Sequence, residues 1–348
     1  MKKSILLVLI ALLLVPAFAQ DRRYNVYGVM FYNLENLFDT INTNGQYDLE
    51  FSPKGARQWN HEKYWQKQHN MAYAISQMTS QGTPTGPAII GVSEIENITV
   101  LQDLVKQPEI RAQHYQIVHH DSPDRRGVDV GLLYNPRFFK VLSVNNHRLR
   151  IEGNPNFRSR DQLCVTGLLA GEKVSVIVNH WPSRLGGEEQ SSYLREAAAA
   201  LSRHIVDSLL VDDPNQGIIM MGDLNDDPQN KSCAQVMRGM KKIEDAVDGA
   251  MYNPFWEKLD KGIGTLAYKG NWNLFDQIMM TDYFTKYAKG KDKPQLTFLR
   301  AEVLNRDFLK TREGDRQGYP LRTYSGGVFL NGFSDHFPTE IFLVKEVK

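Results

Sequence analysis

Carboxylates, amides and histidines occur together in six short segments of this sequence, each at one end of an apolar run. Carboxylates are costly to bury without partners, so acids beside buried strands favour a shared cleft over chance. The segments are Asn-Leu-Glu-Asn (33–36), Ser-Glu-Ile-Glu-Asn (93–97), Asn-His-Trp-Pro-Ser-Arg (179–184), Gly-Asp-Leu-Asn-Asp-Asp-Pro (222–228), Phe-Asp-Gln-Ile (275–278) and Ser-Asp-His-Phe-Pro (334–338).

These residue types suit the metal-assisted hydrolysis of a phosphoester. Oxygen ligands without cysteine suit Mg²⁺ or Mn²⁺ better than zinc. Such an ion can polarise a phosphoryl oxygen and stabilise a leaving oxygen. A histidine near an aspartate can take a proton from water, and asparagine can hold a phosphate oxygen without adding negative charge. The combination therefore predicts a hydrolase of phosphodiesters or phosphomonoesters.

Each segment taken alone also fits an ordinary structural role. Asn33 could hold a turn, Glu94 could be a surface acid, and acids such as Asp223 are common in turns before helices. His180 could be a structural histidine, and Asp335 could be a cap. Only the six segments together favour a functional site.

Strands and helices that are spread over the whole length must bring these segments together. Helical spacing of apolar residues predicts helices at 61–78 and 191–210. A turn at 171–172 suggests a hairpin. Because no internal repeat or Pro/Ser linker interrupts this pattern, it favours one α/β domain. Apolar runs predict strands at 27–34, 88–92, 128–134, 163–169, 174–178, 217–221, 275–280 and 339–344.

The six segments, in this order, resemble the endonuclease/exonuclease/phosphatase superfamily, which includes deoxyribonuclease I, apurinic endonucleases, sphingomyelinases and inositol-polyphosphate 5-phosphatases. The resemblance extends from Tyr27 to about Leu343. It implies an α/β fold of four layers, a sandwich in which two mostly antiparallel sheets pack face to face with helices outside. It also implies that the site lies at one edge, where the strand-end loops of both sheets meet.

The resemblance implies a metal site made of oxygen ligands. Glu94 corresponds to the main ligand, and Asn33, Glu35 and Asp335 correspond to residues on the metal or near it. The expected ion is Mg²⁺ or Mn²⁺.

The same resemblance implies roles for five further residues. Asp276 and His336 correspond to the aspartate–histidine pair, with His336 as general base or as stabiliser of the attacked phosphate. Asp223 corresponds to the residue that orients water or protonates the leaving group. Asn225 corresponds to a donor to a phosphate oxygen, and His180 to the second histidine that faces the phosphate.

Three further residues are candidates for binding the substrate. The guanidinium of Arg184 suits phosphate, although it could also be a solvated side chain on a glycine-rich loop. Tyr268 and Trp272 precede Asp276 and could stack on a base or pack against a sugar. Packing in the core is the alternative for both aromatic residues.

A long segment at 281–333 separates two of the six polar segments and departs from the better known subfamilies. Its scattered basic residues could contact a phosphate backbone or could simply be solvated. They are Lys286, Lys289, Lys291, Lys293, Arg300, Arg306, Lys310, Arg312 and Arg316.

Composition excludes several classes of protein. The chain has 348 residues, of which 42% are hydrophobic, so a sizeable core can form and global disorder is excluded. Its formal charge is +1, whereas proteins that hold nucleic acid by bulk charge are usually more basic. Two cysteines, Cys164 and Cys233, are too few for a disulfide scaffold, although they could form one bridge.

The first 19 residues have the pattern of a secretory signal. Lys2 and Lys3 precede an apolar run at 5–15, and Ala17-Phe18-Ala19 follows as a small-residue cleavage site. The run is short for a membrane span, which needs about 20 residues, so an uncleaved anchor is the lesser alternative. We expect a signal peptide at 1–19, a single catalytic domain at 20–348, and export to the periplasm or the medium.

The segments at 93–97 and 179–183 resemble those of secreted bacterial nucleases of this family. We therefore expect an exported, Mg²⁺- or Mn²⁺-dependent nuclease with nucleic acid as its substrate. The alternative on the same fold is a phosphatase or a phospholipase C-type hydrolase that cleaves sugar phosphates, inositol phosphates or a lipid head group. A third reading is a binding protein without activity. We expect a monomer without a stable membrane anchor after signal cleavage, and the sequence indicates no protein partner.

Overall fold

The computed structural model of the chain describes residues 23–41, 49–285 and 296–347. Within these ranges there are four α-helices, none of which is long and apolar enough to cross a membrane. They are α1 (His61–Ser76), α2 (Ile98–Val105), α3 (Glu188–Asp212) and α4 (Trp256–Asp260).

Most of the strands form two large sheets. The first contains β1 (Arg23–Leu37), β2 (Ile89–Ile95), β3 (Gln116–His119), β4 (Asp129–Tyr134), β14 (Leu296–Val303) and β17 (Thr339–Val347). The second contains β5 (Phe139–His147), β6 (Gln162–Leu169), β7 (Glu172–His180), β8 (Gly217–Asp223), β9 (Gly239–Met240), β10 (Met251–Tyr252) and β13 (Asp276–Met280). Two small hairpins pair β11 (Leu266–Tyr268) with β12 (Asn271–Asn273), and β15 (Tyr324–Ser325) with β16 (Val328–Phe329).

Both large sheets are mixed and mostly antiparallel. The strand order is β14-β17-β1-β2-β4-β3 in the first sheet and β5-β6-β7-β8-β13-β10-β9 in the second. Each sheet has a parallel pair at its centre, β1 with β2 and β7 with β8. Because parallel strands end at the same edge of a sheet, these pairs carry four of the predicted polar segments to common edges.

Three hydrophobic cores separate the layers. Val29 and Phe31 of β1 belong to the core between the two sheets. The alternate residues Met30 and Tyr32 belong to a second core that includes apolar residues of α1 and α2. A third core joins the other face of the second sheet to α3. The layers are therefore helix, sheet, sheet and helix, which confirms the predicted four-layer sandwich.

The buried elements follow the sequence predictions closely. All eight predicted strands and both predicted helices are present, with ends that differ by a few residues. The predicted hairpin is present between β6 and β7. Ala170 and Gly171 form its turn with positive φ angles of 50° and 84°, as two-residue hairpins require.

The four strands at the edges of the two large sheets were not predicted. β3 and β14 lie at the two edges of the first sheet, and β5 and β9 lie at the two edges of the second. β5 alternates irregularly between exposed and partly buried residues. An edge strand of this kind lacks the continuous apolar run by which the central strands were identified.

The sequence left open whether the two cysteines form a bridge, and some of the predicted features lie beyond the described residues. Cys164 and Cys233 are both buried and free, so no bridge joins them. The predicted signal peptide at 1–19 lies outside the described residues, as do Lys286, Lys289, Lys291 and Lys293.

Candidate active site

The six polar segments meet where corresponding edges of the two sheets face each other. Asn33, the last residue of β1 before its register shifts against β2, donates from Nδ2 to Asp223 Oδ2 at the end of β8, over 3.0 Å. Asp276 begins β13 and pairs directly with Asp223 across the antiparallel strands. β17 begins beside Phe31 of β1, so the segment at 334–338 also reaches this edge. The topology thus joins both sheets in one polar cluster.

Irregular backbone at the strand ends directs the polar side chains. The register of β1 and β2 shifts after Asn33, and bulges of this kind re-aim side chains. Glu35, Asn36, Glu94 and Asn225 have positive φ angles of 46°, 53°, 58° and 51°. Left-handed backbone is costly for residues other than glycine, and it concentrates at functional sites.

His336 lies between two aspartates. Its Nδ1 is 2.7 Å from Asp276 Oδ2, and its Nε2 is 3.8 Å from Asp223 Oδ2. Burial alone would lower the pKa of His336, but the negative charges of Asp276, Asp223 and Asp335 raise it well above the ordinary value. The surroundings therefore favour a protonated imidazole that can donate a hydrogen bond from Nε2.

Asp223 lies at the centre of the cluster. Its Oδ1 accepts from the backbone N–H of Asn225 at 3.0 Å, and its Oδ2 accepts from Asn33. Burial raises the pKa of Asp223 to about 7, with Asp276 adding to the rise and His336 opposing it. A carboxyl group that titrates near neutral pH is suited to proton exchange with water or with a leaving oxygen.

His180 faces the same cluster from the end of β7. Its Nε2 lies 3.6 Å from Asp223 Oδ2 and 3.9 Å from Glu94 Oε1. Burial, together with the positive charges of Arg160 and Arg126, lowers the pKa of His180 well below its ordinary value. His180 is therefore neutral at physiological pH, in contrast to His336.

The predicted metal ligands lie beside this cluster. Glu94 Oε2 accepts from the backbone N–H of Asn36 at 2.9 Å. Glu35 accepts from the backbone N–H of Thr323 at 2.6 Å and from Arg322 Nε at 3.3 Å. Arg322 also bonds to Asp335. Two of the four predicted metal residues, Glu35 and Asp335, therefore share one guanidinium.

Two basic residues of the cluster, Lys67 and Arg322, were not predicted. Lys67 is fully buried on α1, where its Nζ lies 2.7 Å from Thr323 Oγ1 and 3.9 Å from Glu35 Oε2. Burial lowers the pKa of Lys67 to about 8, against the opposing effect of the carboxylates of Glu35, Asp335 and Glu94. A signal for Lys67 was present in the sequence, because it falls on the helix face that carries the core residues Tyr64, Met71 and Ile75. Arg322 had no such signal.

The residues present fit a divalent metal ion. Five carboxylates lie in the cluster, at positions 35, 94, 223, 276 and 335, and the basic side chains Lys67 and Arg322 pair with those at 35 and 335. Asp276 Oδ1 is buried and has no hydrogen-bond partner. Carboxylate oxygens of Asp223 and Asp276 lie within 4.8 Å of each other. Excess carboxylate oxygen is the donor set that hard divalent ions take.

Arg184 and Asn225 connect the loops behind the cluster. Arg184 Nε donates to the carbonyl of Asn225 at 2.9 Å, its Nη1 donates to Glu188 at 2.7 Å, and its guanidinium stacks 4.5 Å above the ring of Phe275. Asn225 Nδ2 donates to the carbonyl of Trp181 at 2.9 Å. These contacts favour a positioning role for Arg184, while its predicted role in substrate binding stays a prediction.

The two candidate aromatic residues lie in different surroundings. Trp272 stacks on Phe337 with ring centroids 6.1 Å apart and meets Tyr319 edge to face. Tyr268 lies on the neighbouring strand of the same hairpin, is 64% exposed and has Lys269 Nζ 5.2 Å from its ring centroid. Of the two, Tyr268 is therefore the one whose side chain is mostly exposed to solvent.

Comparison with known proteins identifies the family. A family model described as "Endonuclease/Exonuclease/phosphatase family" matches residues 28–345, which is most of the chain. No curated protein sequence matches the chain.

Solved structures share the fold at low sequence identity. Humanized D. rerio TDP2 with 14 mutations is 14% identical, with a TM-score of 0.54, over 91% of this chain and 98% of that one. A Bacteroides thetaiotaomicron mannosyl-6-phosphatase is 15% identical, with a TM-score of 0.54, over 91% of this chain and 99% of that one. An endonuclease/exonuclease/phosphatase family protein from the same organism is 15% identical, with a TM-score of 0.54, over 93% of this chain and 100% of that one.

Proposed function

The chain belongs to the endonuclease/exonuclease/phosphatase family, and we propose that it is an exported nuclease that hydrolyses phosphodiester bonds with the help of Mg²⁺ or Mn²⁺. As a member of this family it is a phosphoester hydrolase. The observation that carries the proposal is the position of His336 between Asp276 and Asp223, beside His180 and Glu94. The export part of the proposal comes from the signal-like residues 1–19 alone.

The two histidines have different roles at the phosphate. His336 is held by Asp276 through Nδ1, so its Nε2–H is available to a phosphate oxygen and can stabilise the charge that develops there. His180 is neutral and can donate from one ring nitrogen or accept at the other. Asp223, with a pKa of about 7, orients a water molecule or supplies a proton to the leaving oxygen.

A divalent ion would be held by Glu94, with Glu35, Asp335 and Asn33 beside it. When bound, it supplies positive charge to the phosphoryl group and to the leaving oxygen. The basic side chains Lys67 and Arg322 limit the negative charge of these carboxylates in the absence of the ion.

Two surface features support nucleic acid as the substrate. Tyr268 exposes an aromatic ring beside the cation of Lys269, a combination that suits stacking on a base next to a phosphate. Arg126 and Arg316 line a cleft that opens beside Glu35, and arginine suits phosphate oxygens.

A phosphatase acting on a small phosphorylated molecule is the second candidate. It is favoured by the size of the same cleft, whose volume is about 410 Å³, within the range of small-molecule sites. The mannosyl-6-phosphatase that shares the fold shows that this fold accommodates such a substrate.

A substrate panel tests the proposal. Purified protein that starts at Gln20 is assayed with Mg²⁺, Mn²⁺ or EDTA on plasmid DNA, single-stranded DNA, RNA, sphingomyelin and sugar and inositol phosphates, beside the Asp276→Asn variant. Metal-dependent cleavage of nucleic acid that the variant lacks supports the nuclease. Release of phosphate from a small molecule while nucleic acid stays intact would support the phosphatase instead. Release of a lipid head group while nucleic acid stays intact would support a phospholipase.

A further inference from the structure

Four arginines line the cleft beside the candidate active site. Arg57, Arg126, Arg316 and Arg322 face Glu35 and Glu50, the two acids of the lining. The lining therefore has more positive than negative side chains, although the chain as a whole has a formal charge of only +1. Positive charge concentrated in a concave surface attracts anionic ligands.

The positive charges of Arg57 and Arg316 are weakly compensated, whereas Arg322 is paired with Glu35 and Asp335. Arg57 lies 3.2 Å from Glu50, but the Glu50 side chain is 57% exposed, and exposed ion pairs contribute little. Arg316 donates to Ser325 Oγ at 2.5 Å, and in the described part of the chain no carboxylate lies within 4.0 Å of its guanidinium. Arg126 donates to the amide oxygen of Asn36.

The cleft and the catalytic cluster share a wall. Glu35 and Asn36 line the cleft, while Glu35 and Asp335 of the cluster are bound by Arg322, which also lines it. A substrate with its scissile phosphate at His336 would therefore extend its next group past Glu35 and into the arginines.

The far wall of the cleft carries no bulky side chain at its tip. Gly326 and Gly327 form the two-residue turn between β15 and β16, with φ angles of 57° and 84°. Hairpin turns with two positive φ angles favour glycine. Among the described residues, a Cβ on either glycine would meet no atom within 4 Å, so the described chain leaves room for a ligand at this end.

We propose that Arg57, Arg126, Arg316 and Arg322 form a subsite for a second phosphate group of the substrate, adjacent to the scissile one. Guanidinium groups match phosphate geometry and bind it through paired hydrogen bonds. The inference rests on the proposed function, because it places the second phosphate next to the proposed hydrolytic site. The second phosphate comes either from the next nucleotide of a nucleic acid or from a small molecule with two phosphates.

Binding without turnover tests the subsite directly. In EDTA, calorimetry compares adenosine 3′,5′-bisphosphate with adenosine 5′-monophosphate for the wild type and for the Arg57→Gln/Arg316→Gln double variant. We expect the wild type to bind the bisphosphate at least about tenfold more tightly and the double variant to lose this preference, the scale of losing charge-assisted hydrogen bonds. Arg111→Gln is the matched control, because Arg111 is exposed and does not line the cleft.

Equal binding of the two nucleotides by the wild type would overturn the subsite, and so would a preference that the double variant keeps. Circular dichroism and thermal unfolding establish that each variant is folded, and Arg316→Gln alone replaces the double variant if that one is unfolded. Because this readout does not depend on activity, the two proposals can be judged separately. The subsite can be disproved while the nuclease proposal holds, and the nuclease proposal can be disproved while the subsite holds.

Turnover then identifies the source of the second phosphate. A nucleic acid source predicts a higher kcat/KM for a trinucleotide than for a dinucleotide, with the gain lost in the double variant. A small-molecule source predicts a higher kcat/KM for a sugar bisphosphate than for its monophosphate, with the gain lost in the double variant. It predicts no gain in kcat/KM from a longer nucleic acid. If neither gain occurs in the wild type, the subsite does not serve the reaction and the proposal fails.

Discussion

Asp223 and Asp276 are direct cross-strand partners on the antiparallel strands β8 and β13. Two like charges placed opposite each other on a sheet are destabilising. His336 lies against both, 2.7 Å from Asp276 and 3.8 Å from Asp223. The unfavourable pairing of two acids is thus the feature that holds a protonated histidine at the site.

The first prediction concerns this histidine. We expect His336→Ala to lower kcat by about 10²-fold or more, the usual scale for loss of acid–base or hydrogen-bond assistance. Asp276→Asn should have a similar effect, because it removes the partner that orients the ring and raises its pKa. Steady-state kinetics on the substrate found in the panel, with circular dichroism as a control for folding, measure the change. A near-normal rate in His336→Ala removes this residue from the mechanism.

The second prediction separates two roles for Arg184. Because its guanidinium binds Asn225, Glu188 and the acids of the following loop, we expect Arg184→Gln to lower kcat by roughly 10-fold to 10²-fold through misplacement of that loop, with KM little changed. Glu188→Gln is the control, since it removes only a partner that is 53% exposed. A large rise in KM at unchanged kcat would instead support the predicted role in substrate binding.

The sequence could predict the parts of this molecule that depend on continuous local patterns. Central strands such as β2 and β8 are buried on both faces, so each is a short apolar run, and the polar residues at their ends stand out. β5 is half exposed at an edge and has no such run. Its existence depends on pairing with β6, which only the folded chain provides.

The residues of the candidate site also fall into those that a local sequence pattern predicts and those that only the folded chain brings in. Residues such as Glu94 and His336 lie in segments whose local pattern is distinctive. Arg322 lies in a long segment without a motif, and it joins the cluster only through its contacts with Glu35, 287 residues away, and Asp335. The contacts that Arg184 makes to the following loop likewise could not be seen in the sequence.

The third prediction concerns Lys67 and the metal. Lys67→Met leaves the carboxylates of Glu35 and Asp335 with less positive charge and breaks the buried pair with Glu35. Breaking a buried ion pair costs about 3–5 kcal/mol. We therefore expect a lower free energy of unfolding in EDTA, measured with urea. A divalent ion should restore part of the loss, so Mg²⁺ or Mn²⁺ should raise the Tm of the variant more than that of the wild type.

Lys63→Met is the matched control for this experiment, because Lys63 lies one turn earlier on α1 and donates to a backbone carbonyl rather than to an acid of the site. An equal metal-induced rise in Tm for all three proteins would contradict the placement of the ion beside Glu35 and Asp335.

The fourth prediction concerns a buried acid outside the candidate site. Glu340 of β17 is 1% exposed, packs against Gly28, and has no hydrogen-bond partner for its Oε1. Burial raises the pKa of Glu340 to about 8, and the charge of Glu302 on the paired strand adds to the rise. In the unfolded chain this pKa returns to about 4.3.

The sign of the pH dependence follows from these two values. Below the unfolded pKa both states carry the proton, and Glu340 costs nothing. Between there and about pH 8 the folded state keeps a proton that the unfolded state releases, so the free energy of unfolding falls as pH rises. Above about pH 8 the loss is complete. We expect Glu340→Gln to remove this decline and to be more stable than the wild type at pH 9 by up to about 5 kcal/mol, with little difference at pH 4. Urea unfolding across this range measures the difference in stability.

Glu302→Gln should reduce the decline only in part, because it removes a contributing charge and leaves the carboxyl group of Glu340 buried. An identical pH profile for the wild type and Glu340→Gln would show that Glu340 is ionised in the folded protein at neutral pH.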